Sequence, residues 1–203
     1  MAADPELPLF PLQAVLFPGG LLSLKVFEAR YLDVVADCLR ERRPFGVVML
    51  RSGKEVRQQG EAIDIETTGT RAELIDVDSE QAGILHVRCR GAQRFVIGSS
   101  RQRNDGLWLA MTEPVPDDET VAPPLALIDA ARGLAAAINT FEARNEQPFL
   151  EPYRFDDAGW VANRWCEILP IAALARQKLM ELPDPIVRLQ LIDEFLRKKG
   201  VVA

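Results

Sequence analysis

This sequence predicts an α+β chain in two parts: short strands forming an antiparallel barrel or sandwich with one inserted helix, then an α-helical bundle. Three observations carry that expectation. Short β-branched, apolar runs bounded by glycine and polar turns recur as far as Thr112, which is how half-buried strands read. The stretch PVPDDETVAPP, Pro114 to Pro124, is acidic, proline-rich and nearly free of large apolar groups, so it reads as a linker. Beyond it the apolar period becomes helical. The expected divisions are 1–115 and 124–203, with 116–123 between them.

Composition supports a folded chain and narrows its partners. At 203 residues the chain can hide roughly 70% of the surface its unfolded form exposes. With 48% hydrophobic and 27% charged residues it is globular in composition, not disordered. A net charge of −6 repels phosphate backbones and anionic membranes, so nucleic acid and membrane partners are disfavoured. Cys38, Cys89 and Cys166 are odd in number, widely spaced and set among apolar neighbours. They read as buried free thiols, which places the chain in a reducing, cytoplasmic compartment.

The first element is LPLFPLQAVLFPGGLLSLKVFEARY, Leu7 to Tyr31. A signal peptide needs a basic start and an unbroken apolar run. Here MAADPE is acidic, and Pro8, Pro11, Pro18, Gly19 and Gly20 break the run, which is also too short for a membrane span. It reads as strand, turn, strand: Leu9–Leu12 and Leu21–Phe27 around a Pro-Gly-Gly turn. From Glu28 a helix is expected, with Leu32, Val35, Ala36 and Leu39 as its apolar stripe and basic residues at its end. Strands are then expected over Phe45–Leu50, Ala62–Glu66, Thr70–Asp76, Ile84–Arg90, Phe95–Ile97 and Leu107–Thr112, with a hairpin loop at Asn104-Asp105-Gly106.

In the second part, Ile128, Ala131, Ala135 and Ile138 form one helical stripe, and Val161, Trp165 and Ile168 another. Ile171, Leu174, Ala175, Leu179 and Leu182 form a third. The last helix is the best punctuated. Asp184 can cap it, Pro185 suits its first position, Leu189, Ile192 and Leu196 face inward, and Gly200 ends it.

The chain resembles the Lon N-terminal, substrate-binding domain family. The likeness is carried by LPLFPLQAVLFPGGLLSLKVFEARY, FGVVML, the GT of TTGTRAELIDVD, GILHVRCRGAQRFVI and the C-terminal LPIAALARQKLMELPDPIVRLQLIDEFL. The most specific parts are the opening segment and Gly91, Arg94 and Phe95. The resemblance implies that the opening strands belong to a PUA-like β pseudo-barrel. It also implies polypeptide clients, unfolded or specific, and no cofactor. A complete Lon protease carries an ATPase module and a Ser-Lys peptidase. Neither fits in this sequence, so a free-standing member, working with a separate protease, is expected.

The chemistry of the residues agrees. No GxxxxGK[ST] phosphate loop occurs. Ser23, Ser52, Ser79, Ser99 and Ser100 have few bases to draw on among five lysines and one histidine. His86 lies in the alternating ILHVRCR run on the face of Arg88 and Arg90 and reads as a solvated strand residue, without a second histidine to share a metal. Asp117, Asp118 and Glu119 read as a solvated acidic run. Glu28, Arg30, Tyr31 and Arg94 read as architectural, with Glu28 and Arg94 expected to form a shielded ion pair beside Phe27 and Phe95. Arg88, Arg90, Arg94, Arg101 and Arg103 lie near Phe95 and Trp108, a mixture that RNA binders use.

Phe141, Phe149, Tyr153, Phe155 and Trp160 cluster in the irregular connection FEARNEQPFLEPYRFDDAGW. They are candidates for binding polypeptide or for plugging a seam between the two parts. The expected function is non-enzymatic peptide binding in protein quality control. The alternatives are an RNA-binding PUA-like protein and an uncharacterised hydrolase.

Overall fold

The computed structural model describes residues 6–52 and 64–202. It divides into a β-rich unit ending at Pro116 and a helical unit beginning at Asp117. The β unit contains β1 (Leu7–Leu12), β2 (Leu21–Val26), α1 (Ala29–Glu41), β3 (Phe45–Ser52), β4 (Asp64–Gln81), β5 (Ile84–Gln102) and β6 (Trp108–Pro114). Its strands follow the order β2-β5-β4-β3-β1-β6, and β6 pairs with β5 as well. The mixed sheet thus curls back on itself as a pseudo-barrel. Among the described residues only the β1–β3 pairing is parallel, and the connection through β2 and α1 supplies the crossover that parallel neighbours need.

Two strands are longer than the sequence predicts. β4 joins Thr70–Asp76 to residues before Gly69, and β5 joins Ile84–Arg90 to Phe95–Ile97; residues 62 and 63 lie outside the described residues. The glycines taken as strand ends are sites of close approach instead. A Cβ on Gly91 would stand 2.1 Å from the backbone oxygen of Phe17. Gly91 is tied to the Phe17–Gly20 turn by two backbone hydrogen bonds: Gly19 N–H donates to Gly91 O, and Gly91 N–H donates to Gly20 O. That turn has Gly19 at φ 72° after Pro18, as a type II turn requires.

Gly46 and Gly69 serve one aromatic ring. Added Cβ atoms there would meet Phe95 Cζ at 2.8 and 2.7 Å, so the bare backbones of β3 and β4 make the slot that the fully buried Phe95 fills. Around it pack Leu7, Leu9, Val48 and Ala110. A larger core, including Phe10, Val34, Val35, Cys38, Phe45, Val87 and Cys89, lies under α1. The helix is rotated from its expected stripe: Val34, Val35 and Cys38 are buried, whereas Ala36 and Leu39 are exposed. Tertiary packing selects among apolar positions that periodicity leaves equivalent.

The helical unit contains a single 3-10 turn (Leu125–Leu127), then α2 (Ile128–Glu142), α3 (Ala158–Ile168), α4 (Ala173–Glu181) and α5 (Pro185–Lys198). α3 is buried on every side from Ala158 to Cys166, which marks the central helix of the unit. Asp157 caps it, accepting from the N–H groups of Gly159 and Trp160 at 2.9 and 3.2 Å. Asp184 caps α5 in the same way, with Pro185 in the first turn and Leu189, Ile192 and Leu196 buried, as the sequence predicts. The third stripe is different. Leu174 is 57% exposed, and α4 buries Gln177 and Met180.

The acidic run is not solvated throughout. Asp118 receives Arg188 Nη1 at 2.6 Å, and Arg188 is 1% exposed. The same guanidinium donates to Asn163 Oδ1 at 3.0 Å, to Leu179 O at 2.8 Å and to Leu182 O. Val121 O accepts from Ala158 N–H at 2.8 Å, so this proline-rich stretch is fastened to the helices that follow it.

Candidate functional site

An open apolar groove lies in the β unit where two strands run short of neighbours. Among the described residues β2 pairs with β5 alone, and β6 covers β1 only at Leu7–Leu9. Pro11 and Leu12 of β1, Leu24 to Val26 of β2, and Phe10, Phe27, Glu28 and Tyr31 line the space between. The floor is aromatic: the Phe10 ring stands 4.3 Å from Tyr31 and 4.3 Å from Phe45. At the lip, Phe27 is 50% exposed, a large apolar ring on the surface.

The charges beside the groove are set by a local ion pair. Arg30 Nη2 lies 2.6 Å from Glu28 Oε2, its guanidinium lies 4.7 Å from the centre of the Tyr31 ring, and Nη1 donates to Asp105 O at 3.3 Å. Glu28 therefore pairs with Arg30 and not with Arg94, correcting the expected partner. Arg94 is buried on β5, where Nη2 donates to Pro116 O at 3.2 Å. The two residues belong to different segments that sequence proximity to Phe27 and Phe95 cannot bring together.

Of the motif residues, Glu28, Arg30 and Tyr31 meet at the groove, whereas Gly91, Arg94 and Phe95 hold the barrel strands together. In the helical unit, Phe149, Tyr153, Phe155 and Trp160 converge, with Trp160 centred 6.5, 6.0 and 5.4 Å from the other three rings. Phe149 and Trp160 are buried, while Tyr153 and Phe155 are half-buried. Among the described residues, no ring contact joins Phe141 to the set. Arg164, completely buried, lies 5.8 Å from the Phe149 and Trp160 ring centres and pairs with Glu167 at 2.8 Å. Burial pushes the Glu167 carboxyl up to about 7, against the opposing pull of Arg164 and Arg176.

Elsewhere, groups with chemical potential are occupied. Arg90 pairs with Glu73 at 2.7 Å, Arg101 with Glu6 at 2.5 Å and Arg103 with Asp105 at 2.8 Å, which breaks up the basic stripe that RNA would need. His86 is exposed on the outer face of β5, opposite buried Val87 and Cys89. Burial pushes the thiols of Cys38, Cys89 and Cys166 up to about 11, 12 and 12, so they stay protonated and unreactive near neutral pH. Among the described residues, no three His, Cys, Asp or Glu side chains gather to hold a metal, and no helix is long and apolar enough to cross a membrane.

The chain is thus a β pseudo-barrel with an open apolar groove at its strand edges, followed by a helical unit. The chain matches the ATP-dependent protease La (LON) substrate-binding domain over residues 6–198. It belongs to that family. A solved Lon N-terminal domain protein from Xanthomonas campestris is similar at 32% identity and a TM-score of 0.72, covering 92% of this chain and 96% of that one. The N-terminal domain of a Mycobacterium avium complex Lon protease shares the fold, with a TM-score of 0.64, 18% identity and coverage of 95% and 98%. A Lon protease from Anaeromyxobacter dehalogenans is 25% identical over 95% of this chain but only 23% of its own length. A second, from Paraburkholderia phytofirmans, is 33% identical over 45% of this chain and 11% of its own length. The chain thus spans less than a quarter of the curated relatives it matches.

The groove itself escaped sequence reading. Phe27 ends an apolar run that looks uniformly core-directed, and only the fold reveals that this ring is half exposed at the groove.

Proposed function

We propose that this protein is a non-catalytic polypeptide-recognition module of protein quality control, acting in the cytoplasm and presenting clients to a separate protease. The observation that carries the reading is the apolar groove beside Phe27 in a chain of the Lon substrate-binding family. Unfolded chains expose apolar side chains and unpaired backbone groups, and a half-open apolar groove receives the former. The half-buried Tyr153 and Phe155, with Phe149 and Trp160 behind them, are a second proposed contact surface in the helical unit, and Phe141 is proposed with them from the sequence. The pairing of Arg90, Arg101 and Arg103 with acids weighs for polypeptide over RNA.

Reduced, carboxymethylated α-lactalbumin, a permanently unfolded chain, tests the reading by fluorescence anisotropy. Saturable binding is expected, with no binding of the native, disulfide-intact form. A purified chain that binds neither unfolded protein nor peptides, or that hydrolyses ATP or cleaves casein through repeated purification, would overturn it.

A further inference from the structure

We propose that the groove between β1 and β2 binds its polypeptide by strand addition: an extended segment pairs with the open edge of β2, places an apolar side chain against Phe27, and sets a carboxylate on Lys25. This deepens the polypeptide-binding reading and rests on it. The first support is the backbone. β2, Leu21–Val26, has β5 on one side and no second strand among the described residues. A strand so placed presents a row of unsatisfied N–H and C=O groups, which an incoming strand satisfies. β1 is a poorer partner, because Pro8 and Pro11 offer no N–H. Hydrogen bonding therefore falls to β2.

Shape and charge select the occupant. Along β2, Leu22 and Leu24 pack on the core, whereas Ser23, Lys25 and the following Phe27 are exposed. An added strand with side-chain period 2 places one residue beside Phe27 and the next but one beside Lys25. Glu28 is neutralised by Arg30 at 2.6 Å. Among the described residues Lys25 has no ion pair, so its positive charge at the groove is left to a ligand. An acidic residue two positions from a bulky apolar one complements it. A second copy of this chain does not: the exposed side chains along its β2 edge are Ser23, Lys25 and Phe27, with no acid to meet Lys25, and lysine on an edge strand is how sheets resist pairing with themselves.

Fluorescein-labelled 12-residue peptides repeating Glu-Thr-Leu-Thr, which put Glu and Leu two positions apart on one strand face, titrated into the full chain, test this. Phe27→Ala and Lys25→Glu both alter exposed side chains, so circular dichroism and melting are expected to match the parent. Each variant should weaken binding at least tenfold. Lys25→Glu should in turn favour the peptide with Lys in place of Glu, and N-methylation of alternate backbone amides in one of the two phases should abolish binding.

Four results would overturn strand addition: unchanged affinity in both variants, no charge reversal, indifference to N-methylation in both phases, or a dimer in light scattering that Phe27→Ala dissolves. If unfolded α-lactalbumin binds parent and variants equally, strand addition alone falls. If neither peptide nor α-lactalbumin binds the parent, both readings fall.

Discussion

Arg188 and Glu167 show how single buried charges are held in the helical unit. Arg188 sits at 1% exposure with two carbonyls, Asn163 and Asp118 as acceptors. Removing one partner of such a network leaves the others desolvated and unmatched, so Arg188→Met should lower stability by about 3 to 5 kcal/mol in urea melts. A loss below about 1 kcal/mol would class the contact with exposed ion pairs.

Glu167 acts through pH. Its carboxyl is pushed by burial from 4.5 to about 7 in the folded state. Below pH 4.5 the acid is protonated in both states. Between that value and about 7, the folded state keeps a proton the unfolded chain has shed, so stability falls as pH rises, by at most about 3 kcal/mol from this group. Urea melts between pH 5 and 8 should show that decline in the parent and a smaller one in Glu167→Gln. Parallel curves would remove Glu167 as the cause.

At the scale of elements, the β unit depends on backbones that approach too closely for a side chain. Gly91→Ala places a methyl 2.1 Å from Phe17 O, and no flexible side chain is available to give way. β5 must part from the Phe17–Gly20 turn, breaking two hydrogen bonds of about 1 kcal/mol each and exposing core. A loss above about 3 kcal/mol is expected, measured by thermal and urea unfolding; a melt within error of the parent would show that the turn slides freely.

α4 offers the converse test, because its most apolar-looking position is on the surface. Leu174→Glu should be silent within about 0.5 kcal/mol, whereas Met180→Ala, at 2% exposure, should cost about 2 to 5 kcal/mol. The reverse ranking in denaturant melts would return the helix to the orientation that periodicity alone predicts. The periodicity of Ile171, Leu174, Ala175, Leu179 and Leu182 runs past both ends of the helix, which spans only Ala173–Glu181.

For the whole molecule, the two units imply that the proline-rich segment works with the helices. A fragment beginning at Asp117 keeps Asp118 for Arg188 and Val121 O for Ala158 N–H. A fragment beginning at Leu125 loses both. The longer fragment should unfold cooperatively, and the shorter should melt at least about 3 kcal/mol earlier or not fold. Equal stability would show that residues 117–124 are only a tether.

Local chemistry by itself determined much of this protein. The Pro18-Gly19 turn, the Asn104-Asp105-Gly106 loop, the Asp184 cap with Pro185, and the alternation around His86 each depend on residues a few positions apart, so they are legible without a fold. The Lon-like segments likewise carried the α+β class. Tertiary structure alone decided that Gly69 and Gly91 lie inside strands, that Glu28 turns to Arg30, that Asp118 is claimed by an arginine 70 positions away, and that Phe27 stands over an open groove. These outcomes depend on which distant segments pack together. An apolar ring or a carboxylate carries no mark in the sequence of whether such a partner arrives.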